Sequence, residues 1–378
     1  MKRWNRLFSM IAAVWLVPCC RCAAAGAPPE TSAAAYVLMD AQTTQIVCAQ
    51  NETEKRPMAS TTKIMTTLLT LESGDLDAPF TVDSEAIRVE GSSMGLQAGD
   101  TVTKRALCIG MLLPSGNDAA NAAAVAVGGD LPHFLEMMNR RAAEIGMTRT
   151  CFASPSGLDA PGHGASAYDM ALLAREALSN KDFADICGRA SMQLSFGNPP
   201  FLRTLYNTNK LLTMDESVIG VKTGFTDAAG RCLVSAAERG GVRLICVTLS
   251  DRNDWADHEA LYNYAFGCTN KYELPLPELP ALAVEGGSAA CVQTYAAKPL
   301  TVTAWNGRPP DVTTSVAAPP FLLAPVEKGD PVGCIIYRSG GQEIARLPLC
   351  AAQSVNTAAE DAPKNIMFRI KSWLFSRL

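Results

Sequence analysis

The sequence predicts an α/β (α+β) chain: one antiparallel sheet assembled from both ends of a domain, a helical cluster between them, and a smaller all-β domain after it. Three observations point there. Strand-like text occupies both ends of the stretch from Ala33 to Gly267, with apolar helical runs in its middle. After Tyr272 the chain becomes Pro-rich and then breaks into short alternating runs. At 378 residues and 48% apolar content it is long enough for one large core and one small one.

The first residues read as an export signal spanning 1–25. Lys2, Arg3 and Arg6 form a basic start, "LFSMIAAVWLV" from Leu7 to Val17 is a short apolar run, and Ala23–Ala25 supply small residues for cleavage. That run is short for a membrane span. The first domain is expected over 33–270. "AAYVLMDAQTTQIVCAQN" reads as two strands joined by a turn at Ala41–Thr44. "PMASTTKIMTTLL" then opens a helix at Pro57. Short extended pieces and turns fill Pro79 to Lys104. Helical runs follow in "KRALCIGMLLPSGNDAANAAAVAVGG", "LPHFLEMMNRRAAEIGM" and "SAYDMALLAREALS". The β-branched stretch "SVIGVKTGFTDAAGRCLVSAAERGGVRLICVTLSD" supplies the late strands, and "DWADHEALYNYAFG" a last helix.

The all-β domain, β-sandwich-like, is expected over 273–350, a linker over 351–364, and an amphipathic helix over 365–378. In that helix Ile366, Ile370, Trp373, Leu374 and Leu378 share one face, the charges are Arg369, Lys371 and Arg377, and no acidic residue occurs. A basic amphipathic helix with a Trp suits a lipid headgroup surface. Net charge is −4, which argues against nucleic acid as a partner. Three of the thirteen cysteines (Cys19, Cys20, Cys22) fall in the signal, and the rest, from Cys48 to Cys350, show no C-x-x-C pair. That spacing disfavours a zinc ribbon. Disulfides are open to an exported chain, although apolar surroundings such as "LICVTL" at Cys246 suit a small buried hydrophobe.

Three motifs carry chemistry. Ser60 and Lys63 stand three apart, so they are neighbours on one helical face and the amine reaches the hydroxyl. No charge occurs between Lys63 and Glu72, which marks a helix that is buried all round. A buried, neutral lysine is a base for a serine nucleophile. Ser115-Gly116-Asn117 sits in a sharp Pro/Gly turn, where a hydroxyl and a carboxamide could relay a proton and orient an amide. Lys222-Thr223-Gly224 lies on a strand and offers a carboxylate clamp with close backbone approach. Singly, each has an ordinary reading: a surface lysine, a turn, or a protective lysine on an edge strand.

Together and in this order they match the S-x-x-K, S-D-N, K-T-G signature of serine β-lactamases and penicillin-binding proteins, with S-G-N in the middle place. With "YVLMDAQTTQIV", "FASPSGLDAPGHGASAYDMALLA" and "NTNKLL", the chain from Ala33 to Gly267 resembles the D-alanyl-D-alanine carboxypeptidases, the low-molecular-mass penicillin-binding proteins. The resemblance implies a serine β-lactamase/DD-peptidase-like catalytic domain. Ser60 would be the acylated nucleophile and Lys63 its base, and Ser115 and Asn117 would shuttle a proton and hold the substrate backbone. Lys222, Thr223 and Gly224 would bind the terminal carboxylate, with the N–H groups of Ser60 and Phe225 as oxyanion hole. It implies peptidoglycan stem peptides as substrate, β-lactams as inhibitors, no metal or organic cofactor, and a place on the outer face of the cytoplasmic membrane. Lys222 is also a second cation that would lower the Lys63 pKa. The chain departs from the family pattern at Thr44-Gln45 and around Asp257 and His258, which leaves fine substrate preference open.

Rival readings each need a specific residue. A β-lactamase needs a fast deacylating base, for which "REALSN" offers Glu176 and Asn180. The literal G-x-S-x-G at Gly91–Gly95 would make Ser93 an α/β-hydrolase nucleophile, served by one of only three histidines, His133, His163 or His258. A non-catalytic wall-peptide-binding scaffold would keep the motifs without the reaction.

Overall fold

The computed structural model describes residues 26–358. The expected signal (1–25) and amphipathic helix (365–378), with linker residues 359–364, lie outside the described residues.

The central sheet has five strands, ordered β2-β1-β9-β8-β7 and antiparallel throughout. Strands β1 (Ala35–Asp40) and β2 (Ile46–Gln50) come from the start of the chain. Between them and the late strands lie α1 (Lys63–Glu72), the short pair β3 (Phe80–Thr81) and β4 (Thr101–Val102), then α2 (Lys104–Leu112), α3 (Asn117–Gly128), α4 (Leu131–Ile145), α5 (Ala167–Ser179) and α6 (Lys181–Cys187). A hairpin of β5 (Ser191–Gly197) and β6 (Pro200–Tyr206) and a single turn, α7 (Leu211–Met214), precede β7 (Val218–Thr226), β8 (Gly230–Arg239) and β9 (Val242–Leu249). Helix α8 (Asp254–Gly267) closes the domain. Residues 181–216, for which the sequence pattern predicts no element, form α6, the hairpin and α7.

Alternation along the strands sends side chains to two cores. Val37, Met39, Val234, Ile245 and Val247 join Ile64, Leu68, Leu107 and Phe134 of the helical cluster. Leu38, Leu233, Leu244 and Cys246 face Leu261, Tyr262 and Ala265 of α8. Helix α1 is buried from Lys63 to Leu71, as its lack of charge predicted.

The C-terminal all-β domain holds β10 (Thr269–Glu273), β11 (Leu282–Glu285), β12 (Cys291–Val292), β13 (Thr294–Tyr295), β14 (Thr301–Trp305), β15 (Thr313–Ala317), β16 (Phe321–Leu323), β17 (Pro331–Ser339) and β18 (Gln342–Ala351). They form sheets ordered β10-β14, β12-β11-β16 and β13-β18-β17-β15. The expected linker onset at 351 is corrected. Ala351 ends β18, Val355 is buried and bridges to Val326, and Thr357 bridges to Gly287. Val355 fills the small core of Leu282, Val292 and Val332, so the packed chain runs past the expected boundary. The ten cysteines of the described residues are all free, and six are buried.

Candidate active site

Met58–Thr62 forms a tight turn running into α1. Ala59–Thr62 is 3-10 helical, and Ala59 has φ +47, in the left-handed region where a Cβ is strained. The turn carries Ser60, half-buried, and one turn on Lys63, which is fully buried. Lys63 Nζ donates to Ser60 Oγ (2.8 Å), Asn117 Oδ1 (2.7 Å) and the Ser156 carbonyl (2.6 Å). Three partners satisfy the amine in a place where an unpaired one would be costly. The Lys63 pKa lies well below the ordinary lysine value: burial is the chief cause, the Lys222 charge adds to it, and Asp118 partly opposes it.

The S-G-N turn joins α2 to α3. Ser115 is buried with φ +67, a second strained position at the site. Asn117 is fixed at both ends of its carboxamide, Oδ1 accepting from Lys63 and Nδ2 donating to the Glu90 carbonyl (2.7 Å).

The third motif runs along β7, the sheet edge beside the Met58–Thr62 turn. Gly224 is where the two backbones touch: a Cβ there would come within 3.0 Å of the Ser60 nitrogen and 3.1 Å of the Met58 oxygen. Lys222 is not a solvated edge lysine. It is buried, its Nζ donates to the Thr223 carbonyl (2.9 Å), and burial lowers its pKa to about 7. The Thr223 and Thr208 hydroxyls are 2.6 Å apart. Phe225 projects outward, 63% exposed.

The sequence reading missed three contributors. The Ser156 carbonyl holds Lys63, and no side-chain pattern announces a backbone acceptor. Thr208 pairs with Thr223 from a loop that carried no assigned element. Asp118 is buried and anchors residues 93–96, accepting from Ser93 Oγ, Met94 N (2.9 Å), Gly95 N and Leu96 N (both 3.0 Å). An acidic residue in the first turn of a helix was its available signal.

The rival residues lie elsewhere. Ser93 donates to Asp118 rather than pairing with a histidine. Glu176 pairs with Arg141, which also binds Glu72 at the far end of α1. That end lies about 13 Å along the helix axis from Lys63. Asn180 caps α6 by accepting from Phe183 N. Asp257 accepts from Ser32 N (2.7 Å), and His258 is sealed in the core. No group of three or more His, Cys, Asp or Glu suited to a metal occurs among the described residues.

Comparison with known proteins matches this arrangement. Residues 22–253 match the family described as D-alanyl-D-alanine carboxypeptidase, and residues 280–357 match the penicillin-binding protein 5 C-terminal domain. The chain is 30% identical over 338 residues to D-alanyl-D-alanine carboxypeptidase DacF of Bacillus subtilis, covering 85% of each. It is 31% identical over 347 residues to DacC of Escherichia coli, covering 86% of this chain and 85% of that one. Among solved structures, penicillin binding protein 5 from Haemophilus influenzae aligns with a TM-score of 0.65 at 28% identity, covering 88% of this chain and 99% of that one. The Streptomyces K15 DD-transpeptidase aligns with 0.60 at 29% identity, covering 63% of this chain and 98% of that one. With a serine beside a buried lysine at its centre and both of its parts matched, this chain belongs to the D-alanyl-D-alanine carboxypeptidase family.

Proposed function

We propose that this chain removes the terminal D-alanine from peptidoglycan stem peptides ending in D-Ala-D-Ala, through an acyl-enzyme on Ser60. The observation that carries the reading is the 2.8 Å contact between Ser60 Oγ and the buried Lys63 Nζ, whose pKa burial lowers well below the ordinary lysine value. Ser60 Oγ attacks the carbonyl of the penultimate D-Ala while its proton passes to Lys63 Nζ. The oxyanion faces the N–H groups of Ser60 and Phe225, where β7 passes the turn. Collapse breaks the peptide bond, and the leaving amine takes a proton relayed through Ser115. Asn117 holds the substrate backbone, and Lys222, Thr223 and Gly224 hold the terminal carboxylate. Water then hydrolyses the ester, with Lys63 again as base. Penicillins acylate the same serine, and Glu176 is too far away to speed release of the adduct.

The test is incubation with a synthetic pentapeptide ending D-Ala-D-Ala. Released D-alanine is expected from wild type and not from Ser60→Ala, and no release from wild type sinks the reading. Export through residues 1–25 and tethering of the outer face through 365–378 belong to the same proposal, supported by the charge and apolar patterns of those segments. No helix among the described residues is long and apolar enough to cross a membrane. Flotation with anionic vesicles is expected for the full chain and lost for a chain ending at Lys364.

A further inference from the structure

Residues 151–165 form an Ω-shaped loop beside the nucleophile turn. Its ends are clasped by Cys151 N to Gly164 O (2.9 Å) and Gly164 N to Cys151 O (3.1 Å). This loop supplies the Ser156 carbonyl that holds Lys63. It meets the turn at Gly157, whose φ is +88 and where a Cβ would lie 2.0 Å from the Ala59 oxygen. Loop and turn are separate pieces of chain, yet the Ser60–Lys63–Ser156 arrangement depends on their spacing.

The backbone pairs Arg56 with Ala165 just before the turn and Thr66 Oγ1 donates to the Pro155 carbonyl (2.6 Å) beyond it, and the His163 side chain bridges the loop to the turn itself. His163 Nδ1 lies 3.0 Å from Ala153 N, and since a backbone N–H only donates, Nδ1 accepts. In the neutral ring Nε2 therefore carries the hydrogen and donates to Thr62 Oγ1 (2.9 Å), which itself donates to the Ala59 carbonyl (2.8 Å). The relay runs from the loop backbone through the imidazole to the strained residue that precedes the nucleophile.

We propose that His163 is a positioning residue for acylation, a peg that sets the Ω-loop against the nucleophile turn and so fixes Lys63 between Ser60 and the Ser156 carbonyl. The inference rests on the acyl-enzyme reading above. His163 touches none of the proposed reacting atoms and acts through Thr62 and Ala153. Two charged groups face the ring: Asp159 of the same loop, which favours the imidazolium, and Lys55 of the segment before the turn, which opposes it. Burial is the largest cause, Lys55 acts with it and Asp159 against it, and the His163 pKa falls to about 4, so the Nδ1 lone pair stays available at neutral pH.

The experiment measures the second-order rate of acylation by a fluorescent penicillin across pH. His163→Ala is expected to lower it about 10- to 100-fold, through misplacement rather than lost chemistry. Its acid limb should move to higher pH, because water reaching Lys63 raises the lysine pKa. His163→Gln keeps an amide oxygen for Ala153 N–H and an amide N–H for Thr62, so it should restore both rate and limb. Thr62→Val cuts the relay from the other side and should resemble His163→Ala, with the double variant no worse than the poorer single. Wild-type rate and an unshifted limb in folded His163→Ala overturn the peg, as does a folded His163→Gln as impaired as alanine. If His163→Ala does not fold, Thr62→Val and His163→Gln decide by the same criteria. Absence of labelling in wild type would instead sink the acyl-enzyme reading.

Discussion

Two serines in this molecule each sit beside a nitrogen base, on opposite faces of one sheet. Ser60 contacts Lys63 at 2.8 Å on the helical-cluster face. Ser235 of β8 contacts His258 Nδ1 at 2.7 Å and Tyr262 OH at 2.6 Å on the α8 face, and His258 Nε2 reaches Thr248 Oγ1 at 3.1 Å. By distance alone the second cluster looks the better nucleophile–base pair. It differs in three respects. Ser235, His258 and Tyr262 have no exposure, whereas Ser60 is half-buried at an open edge. Among the described residues no cation contributes to the His258 shift, whereas Lys222 bears on Lys63. The first is framed by strained backbone at Ala59 and Ser115, and the second lies on regular strand and helix. Hydrogen-bond distance does not identify a site; access, a neighbouring charge that shifts the base and stored strain do.

The comparison breaks most sharply at the nucleophile. Ser60→Ala should abolish penicillin labelling, and Lys63→Ala should slow it on the order of a thousand-fold or more. Ser235→Ala should label at the wild-type rate; a labelling defect in folded Ser235→Ala would erase the distinction.

A smaller effect separates the two lysines by pH. In the proposed mechanism acylation needs neutral Lys63, so the rate should fall as pH drops through its lowered pKa. The proposed Lys222 clamp needs its charge, so kcat/KM should decline as pH rises past about 7. Bound substrate carboxylate would hold the Lys222 proton and shift that alkaline limb upward in kcat alone. A kcat/KM that climbs steadily from pH 6 to 10 would contradict the clamp.

Smaller again is the stability effect of the sealed cluster. Burial lowers the His258 pKa to about 3, so below the ordinary histidine value of about 6.5 the unfolded chain takes up a proton that the folded chain refuses. Stability should fall through that window, and thermal melts of wild type between pH 7 and 4 would show it. Ser235→Ala should cost about 1–3 kcal/mol at neutral pH by stranding its partners. The smallest effect is expected at Glu176→Gln, with decay of the penicilloyl adduct unchanged within about twofold, since Glu176 is engaged by Arg141.

Much of this site was legible because its parts are local. The charge-free run after Lys63, the Pro/Gly turn around Ser115 and the strand around Lys222 each reveal themselves within a dozen residues. The sheet was legible in outline because alternating strand text stood at both ends. What escaped depends on distant chain. Ser156 contributes a carbonyl, which any residue could supply, and His163 sits on a Gly-rich loop where nothing local shows that Thr62 lies beside it. The β5–β6 hairpin had a signal in the alternation of Met192, Leu194 and Phe196 before Gly197, and it was passed over. The tail boundary was misjudged because polar text around Val355 hid one residue that packs.

The pairing of β1 with β9 joins Ala35 to Leu249, segments about two hundred residues apart. Ser60 follows the first of them, and Lys222 precedes the second. Neither half of the chain holds a working site, so acquisition of activity is bound to the slowest, least local contacts in the fold. A fluorescent penicillin added during refolding therefore serves as a clock for topological closure: labelling should lag behind the return of helical circular dichroism and coincide with protection of the β1 and β9 amides.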